Sequence, residues 1–215
     1  MSKVRDHGKD LQAYEGLKEL LLCRRLVPGQ RIIYRDLEEI LGMSKTPIMN
    51  ALVRLEQENM LVSHHNRGYY VKQWSSKDIR QMFELKEKLH GILVKYAVES
   101  ATAEKLADFK RALGEYLAYK STIYDLRKFR LDMRFHIQLA KMAGNDYLTS
   151  VLSQQYSIMC CAVDLAVLTP LIEKFEQDHT LLYQAIEQKN SKEAKRVLSA
   201  HDRAGAKMVV EAMKK

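Results

Sequence analysis

Cysteine, proline and glycine are scarce in this sequence, and it has no long apolar run. Three prolines and nine glycines in 215 residues, beside plentiful Leu, Ala, Lys, Glu and Met, favour a mostly helical protein. The three cysteines, Cys23, Cys160 and Cys161, are odd in number and two are adjacent, which argues against a disulfide framework and for a reducing, cytoplasmic setting. No stretch approaches the roughly 18 apolar residues of a membrane span, and the mixed-charge N-terminus does not resemble a signal peptide.

The charge of the chain is positive but is not concentrated in one part of it. Lys and Arg outnumber Asp and Glu by 35 to 27, which gives a net charge of +8 and an isoelectric point near 9.3. Basic residues exceed acidic ones by 12 to 9 up to Ser75 and by 23 to 18 after it. Such an excess permits an anionic partner such as nucleic acid, but only a motif can locate the contact.

The first 74 residues follow the pattern of a winged helix-turn-helix. Beyond a polar N-terminal end (residues 1–9), which we expect to be frayed, the spacing of apolar residues is informative. It predicts helices at 10–27, 34–41 and 46–59 and short strands at 60–63 and 68–71. Gly42 ends the second helix, and the third begins with Thr46 as N-cap and Pro47 in the first helical position. A hairpin directly behind the third helix makes the winged variant of the motif.

In this fold the third helix enters the major groove of DNA, and its N-terminal residues face the bases. Asn is suited to reading adenine, Lys and Thr to phosphates or guanine, and arginines near the second helix to the backbone. The predicted DNA-binding residues are Arg31, Arg35, Lys45, Thr46, Met49, Asn50, Arg54, His65, Arg67 and Gly68. Each of them alone would be an ordinary solvated residue, so the prediction depends on the order of the elements.

Two segments resemble the winged helix-turn-helix of the GntR family of regulators. They are 26–31, Leu-Val-Pro-Gly-Gln-Arg, and 36–56, which contains Leu-Gly-Met-Ser-Lys-Thr-Pro-Ile-Met-Asn-Ala-Leu. The resemblance implies the fold and DNA binding. Lys45 and Met49 stand where the family has arginines, and Asn50 stands where glutamate is common. The arginine missing at Met49 is usually a base contact in the family, so the family's operator sequence does not carry over.

From Ser75 onward the pattern is helical throughout. The helices are predicted at 76–100, 102–118, 121–142, 145–168, 171–189 and 191–213. Their lengths and short connections favour an antiparallel bundle, with Ser76 and Ser191 as caps of the first and last helices. The chain is therefore expected to be mainly α, with a DNA-binding domain at 1–74 and an all-helical domain at 75–215.

One carboxylate and three imidazoles interrupt the apolar stripes of three of these helices. Asp132 and His136 are four residues apart and share a helix face, and His179 and His201 lie on the apolar faces of the last two helices. A lone His on such a face is more often a satisfied core residue, but four such positions in one domain favour a metal site. A buried carboxylate is costly unless paired or metal-bound, and imidazoles are good ligands. The set suits Zn²⁺, Ni²⁺, Mn²⁺ or Fe²⁺ without selecting among them.

A second resemblance covers this part of the chain. The segment 129–145, with Asp132 and His136 inside it, and the segments around His179 and His201 resemble the FCD ligand-binding domain of the FadR subfamily. In the metal-binding members of that family, the four matching positions are the metal ligands. The resemblance therefore implies a metal-dependent effector domain in this chain.

The same resemblance suggests where an effector carboxylate would bind. Family members often have an arginine that meets this carboxylate, and Lys86 takes its place here, with His90 in place of a glutamate. Lysine is a point charge and lacks the bidentate fork of arginine, so a changed effector is one implication. The other interpretation is that Lys86 extends to solvent. The predicted effector-binding residues are Lys86, His90, Gln155 and Tyr156.

These observations predict a bacterial-type transcription regulator rather than an enzyme: a repressor that binds a palindromic operator as a homodimer. The helical domain is expected to bind a divalent transition metal and, through it, a small organic acid that changes operator affinity. No membrane partner is expected. Two alternatives stay open: a metal-dependent enzyme acting on a small carboxylate, and a metal that only stabilises the bundle. A monomer that binds a single half-site tightly would refute the coupled dimer.

Overall fold

The structure of the chain is a computed structural model, which describes residues 7–214. The chain divides into two compact units, Met1–Trp74 and Ser75–Lys215, which we call the N-terminal unit and the C-terminal unit. The predictions of a frayed end and of a missing signal peptide fall largely on residues 1–6, outside the described residues. In the described part, no helix is both long and apolar enough to cross a bilayer.

The N-terminal unit is a winged helix-turn-helix, which confirms the predicted fold class. Its elements are α1 (His7–Leu22), α2 (Tyr34–Leu41), α3 (Lys45–Gln57), β1 (Leu61–His64) and β2 (Gly68–Val71). The two strands pair antiparallel, from Leu61 opposite Val71 to His64 opposite Gly68. Gly68 has a φ of 84°, a conformation that costs glycine no steric strain, and it closes the turn between the strands.

The turn between α2 and α3 follows from the residues that form it. Gly42 has a φ of 63° and ends α2 in a left-handed cap. α3 begins at Lys45 with Ser44 in the N-cap position, so the prediction of Thr46 as N-cap and Pro47 as first helical residue was wrong. Proline tolerates the third position as well as the first, because no N–H in the first helical turn has an acceptor within the helix.

The apolar faces of α1, α2 and α3 enclose the core of this unit. Its most buried side chains are Leu17, Leu21, Leu37, Ile48, Leu52 and Leu55. α1 runs from His7 to Leu22, whereas the sequence predicted residues 10–27. The early end is consistent with Arg24, whose φ of 55° lies outside the range of a right-handed helix.

The C-terminal unit is an all-helical bundle, as predicted. Its elements are α4 (Ser76–Glu99), α5 (Ala103–Ala118), α6 (Leu126–Ala143), α7 (Asp146–Ala162), a 3₁₀ helix (Leu165–Leu171), α8 (Ile172–Glu187) and α9 (Ser191–Ala212). Side-chain oxygens accept hydrogen bonds from the first turns of most of these helices. The capping residues of this kind are Ser75, Thr102, Asp125, Asn145 and Asn190. Such caps stabilise a helix by about 1 kcal/mol each.

The observed caps differ from two predicted ones and move the start of one helix. Ser75 and Asn190 cap α4 and α9, whereas Ser76 and Ser191, the predicted caps, are the first residues inside these helices. The helix predicted from residue 121 starts only after Asp125, whose side chain accepts a hydrogen bond from the backbone N–H of Lys128. In each case the residue that supplies the cap lies immediately before the first helical residue.

The single helix predicted at 145–168 is in fact two elements. Val163, with φ of −103° and ψ of 131°, is extended and ends α7. Asp164 then accepts a hydrogen bond from the first turn of the 3₁₀ helix, which contains Pro170. An Asp that caps a new turn competes with continuation of the helix, and this local competition was not visible in the apolar spacing.

The apolar core of the C-terminal unit lies between α4, α5, α6, α8 and α9. Its members include Val94, Phe109, Phe135, Leu139, Leu182, Ile186 and Leu198. The rings of Phe109 and Phe135 stack with their centroids 4.5 Å apart. The Phe135 centroid is also 4.4 Å from that of His179, so the core borders directly on the polar cluster described next.

Candidate metal centre and nucleic-acid interface

Asp132 and His136 on α6, His179 on α8 and His201 on α9 meet inside the C-terminal unit. Nε2 of His179 lies 3.2 Å from Nε2 of His136 and 3.3 Å from Oδ1 of Asp132. The distance from Oδ1 of Asp132 to Nε2 of His136 is 3.7 Å. One ligand atom from each of the four residues can be chosen so that all lie within 4.8 Å of one another. The structure thus brings together the four residues that the sequence singled out.

This donor set fits a divalent metal ion. Each of the four side chains belongs to a residue that is at most 3% exposed, and Oδ1 of Asp132 has no hydrogen-bond partner among the described residues. Nε2 of His179 and of His136 lie 3.3 and 3.7 Å from it, and no lysine or arginine among the described residues forms an ion pair with it. A buried charge without compensation costs several kcal/mol. Two donors at about 2.1 Å from one ion lie at most about 4.2 Å apart. The three distances measured between Asp132, His136 and His179 meet this limit.

Burial holds the imidazoles in the form that binds a metal. Burial, reinforced by the neighbouring His90, lowers the pKa of His136 well below its usual value, and burial together with His201 does the same to the pKa of His179. Burial raises the pKa of Asp132. Neutral imidazole keeps a free lone pair, so these residues are disposed to accept a cation from outside the protein.

Asp178 on α8 supports His201. Its Oδ2 lies 3.6 Å from Nδ1 of His201 and 2.6 Å from Nζ of Lys174. Burial alone would raise the pKa of Asp178, but the contacts with His201 and Lys174 outweigh it and lower that pKa. At 3.6 Å the contact is too long for a hydrogen bond, so Asp178 acts on the His201 ring through its negative charge. With Nδ1 facing Asp178, Nε2 is the nitrogen of His201 that remains for an ion.

Lys86 and His90 on α4 meet Asp202 on α9 next to this cluster. Nζ of Lys86 is 3.2 Å from Oδ1 of Asp202, and Nδ1 of His90 is 2.8 Å from Oδ2. Lys86 is 4% exposed, so the interpretation in which its side chain extends to solvent was wrong. The ring of His90 stacks on that of His136 with a centroid distance of 4.7 Å and an interplanar angle of 16°. This stacking joins the Lys86–His90–Asp202 triad to the candidate metal ligands.

Asp202 is the residue that the sequence analysis missed. It shares a buried stripe of α9 with Leu198, Gly205 and Val209, and this acidic interruption of an apolar stripe was the available signal. Burial opposes its charged form, but His90 and Lys86 outweigh that effect and lower its pKa far below the usual range. Asp202 is therefore a buried carboxylate that has its own cationic partner, unlike Asp132.

Gln155 and Tyr156 on α7 differ in their access to the cluster. Nε2 of Gln155 donates a hydrogen bond of 3.2 Å to the carbonyl of Met82, which ties α7 to α4. The ring of Tyr156 stacks with that of His136 at 5.7 Å, and Nζ of Lys86 is 5.0 Å from its centroid. Its hydroxyl is buried and has no hydrogen-bond partner in the described part of the chain. Tyr156 thus borders the site, whereas Gln155 is engaged in helix packing.

A cavity of about 20 Å³ adjoins the cluster. Lys86, Asp132 and His201 line its polar side, and Met159 and Leu168 are among its apolar lining residues. A volume of this size accommodates about one water molecule. A larger ligand therefore requires the lining side chains, or the helices that carry them, to move.

In the N-terminal unit, most of the predicted DNA-binding residues lie at the surface. Lys45 and Thr46 are exposed in the first turn of α3, and Met49 is half-buried one turn further on. The remaining residues of this group, placed before α3 or in the hairpin, are Arg31, Arg35, His65, Arg67 and Gly68. Of these five, Gly68 is half-buried and the other four are exposed. The first turn of α3 and the hairpin turn thus both present cationic side chains.

Asn50 and Arg54, by contrast, have partners inside the unit. Nδ2 of Asn50 donates to Oδ2 of Asp10 at 3.1 Å. The guanidinium carbon of Arg54 lies 3.6 Å from the ring centroid of Tyr14, and its Nε is 3.3 Å from Oε1 of Glu58. These contacts hold α3 against α1, and a DNA contact by either residue would compete with them. DNA binding by all ten residues stays a prediction.

Comparison with known proteins matches both units. Residues 9–71 match the model of the bacterial regulatory proteins of the gntR family, and residues 81–204 match the FCD domain. The FCD match by itself spans more than half of the chain. The chain belongs to the GntR family and carries an FCD domain. GntR family membership accounts for the winged helix-turn-helix, and the FCD domain coincides with the bundle that contains the four candidate ligands.

The relatives of this GntR-family chain are regulators. YdhC, an HTH-type transcriptional regulator of Bacillus subtilis, is 24% identical over 193 residues, which is 89% of this chain and 86% of YdhC. The HTH-type transcriptional regulator McbR of Escherichia coli is 32% identical over 111 residues, 52% of this chain and 50% of McbR. The solved structure of E. coli McbR/YncC, 22% identical, covers 95% of this chain and 98% of its own with a TM-score of 0.77, which shows the fold. The chain is a transcriptional regulator, and the enzyme alternative was wrong.

Proposed function

We propose that this GntR-family regulator acts as a repressor whose operator affinity changes when a small organic acid binds in its FCD domain. Residues 1–74 read DNA, and residues 75–215 hold a metal and the acid. The regulator is a homodimer, because a palindromic operator presents two identical half-sites to two identical readers. The predicted DNA contacts include Lys45 and Thr46 at the start of α3, where this fold meets base edges.

The observation that carries the proposal is the buried cluster in the C-terminal unit. Asp132, His136, His179 and His201 hold a divalent transition metal, which is Zn²⁺, Ni²⁺, Mn²⁺ or Fe²⁺. When bound, the ion would supply positive charge and, with five- or six-fold coordination, a position beyond the four protein ligands that suits a carboxylate. In the described part of the chain no lysine or arginine forms an ion pair with Oδ1 of Asp132, and this feature supports the assignment.

The size of the adjoining cavity supports a regulatory use of the site. The acid enters beside Lys86, His90 and Tyr156, with Gln155 one residue before Tyr156 on α7. Since the cavity holds only about one water-sized group, the acid can bind only if the lining side chains, or the helices that carry them, move. A ligand that favours the rearranged state changes the balance between two conformations of the bundle, which is the requirement for control of a separate DNA-binding unit.

Elemental analysis of purified protein tests the metal assignment. Protein prepared without chelator should contain one equivalent of metal, and His179→Ala and His201→Ala should lose most of it. His65→Ala, in the exposed hairpin turn, is the matched control because it removes an imidazole that lies outside the cluster. Equal metal content in the wild type, His179→Ala and His201→Ala would end the assignment.

Selection of fragments of genomic DNA tests the regulatory function. The full chain is incubated with the fragments at physiological salt and with competitor DNA, which suppresses non-specific binding. We expect a recovered palindrome whose affinity changes on addition of an acid to metal-loaded protein but not to chelator-treated protein. Tight binding of a single half-site by a monomer would refute the coupled dimer, and an acid response that survives chelation would refute the metal-dependent effector site.

A further inference from the structure

Most of the buried charges of the C-terminal unit are neutralised in pairs. The buried residues that carry a full charge in the described part of this unit are Lys86, Lys128, Asp132, Asp178 and Asp202. Nζ of Lys128 lies 2.8 Å from Oε1 of Glu176, and Oδ2 of Asp178 is 2.6 Å from Nζ of Lys174. Lys86 is paired with Asp202 at 3.2 Å. Asp132 is thus the one member of this group that is not paired with a lysine, an arginine or a carboxylate of opposite charge.

Asp202 neutralises the ammonium group of Lys86, which would otherwise attract the carboxylate of an acid. Both oxygens of Asp202 are engaged, one by Lys86 and the other by Nδ1 of His90 at 2.8 Å. Lys86 and Asp202 are therefore an ion pair with no net charge, and His90 adds a contact to the second oxygen of Asp202.

The charge left at the cavity follows from this pairing. A divalent ion bound by three neutral imidazoles and the Asp132 carboxylate carries one excess positive charge, and the Lys86–Asp202 pair adds none. One negative charge on a ligand completes the balance. A second carboxylate would enter a low-dielectric interior where Lys86, the lysine that lines the cavity, is already paired with Asp202, and such an uncompensated charge is strongly disfavoured there.

We propose that Asp202 is a specificity-determining residue, which makes the effector site of this regulator select a monoanionic acid and reject a dianionic one. The proposal rests on the proposed function, since it assumes a metal ion and an acid at the cluster. It names the chemical class of that acid: a molecule with one carboxylate whose remaining part is uncharged. Replacing Asp202 with Asn frees the ammonium group of Lys86 and so creates a place for a second carboxylate.

Calorimetric titration of the full-length, metal-loaded protein with succinate and with succinamate tests the proposal. The two ligands have nearly the same size and shape, but at pH 7.5 succinate has two negative charges and succinamate has one. For the wild type we expect succinamate to bind at least about tenfold more tightly than succinate, which corresponds to about 1.4 kcal/mol. For Asp202→Asn we expect the preference to reverse. Lys86→Met/Asp202→Asn, which removes both charges together, should restore the preference for succinamate.

Each outcome bears on a different part of the reasoning. Succinate that binds the wild type as tightly as succinamate would overturn the role of Asp202 and leave the metal-bound acid standing. An Asp202→Asn protein that keeps the wild-type preference would overturn it as well. If that variant fails to fold, the wild-type comparison still decides. Metal-loaded protein that binds neither ligand would overturn both this inference and the effector site proposed above.

Discussion

Replacing Asp132 with Asn should stabilise the metal-free protein and destabilise the metal-loaded one. Asp132 is 3% exposed, and among the described residues its Oδ1 has no hydrogen-bond partner, with Nε2 of His179 and of His136 at 3.3 and 3.7 Å. A buried carboxylate costs several kcal/mol, of which part is recovered from neighbouring dipoles and from Lys86. Asn has nearly the same shape and no charge. We therefore expect Asp132→Asn to raise the free energy of unfolding of chelator-treated protein by about 1–3 kcal/mol.

The metal should reverse this order. An ion at 1,000 times its dissociation constant adds about 4 kcal/mol to stability. Loss of a group that merely supports a ligand costs up to about 100-fold in affinity, so loss of the anionic ligand itself should cost at least as much. A 100-fold loss at the same metal concentration removes about 2.7 kcal/mol of the gain. A gain in chelator of less than about 2.7 kcal/mol then makes wild type the more stable protein in metal and Asp132→Asn the more stable one in chelator.

Urea unfolding followed by circular dichroism, with chelator and with saturating Ni²⁺ or Zn²⁺, measures both differences. Asp178→Asn is the matched control: Asp178 already has Lys174 as a partner at 2.6 Å, so its loss should destabilise the protein in chelator. The reasoning is refuted if Asp132→Asn is less stable than wild type in chelator. An unchanged shift on metal addition would remove Asp132 from the ligand set.

Contacts away from the cluster give three further predictions. Lys45→Ala removes a cation from the proposed DNA interface, so titration at several salt concentrations should show weaker operator binding and a slope of log affinity against log salt that is smaller by about 1. Lys128→Met leaves the carbonyl of Tyr116 without its buried donor and breaks the pair with Glu176, so unfolding in urea should show a loss of about 3 kcal/mol. Burial alone would raise the pKa of Glu176, but Lys128 and Lys120 lower it. The pair therefore adds stability at neutral pH that is lost as pH falls through this lowered pKa, and Glu176→Gln should flatten that part of the dependence of stability on pH.

The four candidate ligands could be predicted from the sequence because each interrupts an apolar stripe on its own helix. Asp132 and His136 share a face by their spacing alone, and the stripes around His179 and His201 are continuous over several turns. A helix that buries one side against a core leaves a polar residue on that side no route to water. Burial was therefore readable within each helix, without knowledge of how the helices pack.

The partners of Lys86 could not be predicted in the same way. Whether a lysine on an apolar stripe reaches water or a buried carboxylate depends on what the neighbouring helix presents to it, and Asp202 is 116 residues further along the chain. The break at Val163 was missed for a different reason. There a local side-chain hydrogen bond of Asp164 replaced the next helical turn, and apolar spacing does not report such competition.

The ammonium group of Lys128 has a mechanical consequence. Reaching from α6, it donates hydrogen bonds to the carbonyls of Tyr116 and Tyr119 at the end of α5 and pairs with Glu176 of α8. Lys128 thereby connects α5, α6 and α8, and three of the four candidate ligands lie on these helices. Only His201 comes from α9. A bound metal ion would connect α9, through His201, to three helices that Lys128 already holds together. Removal of the metal should therefore increase the mobility of α9 and leave the rest of the bundle rigid.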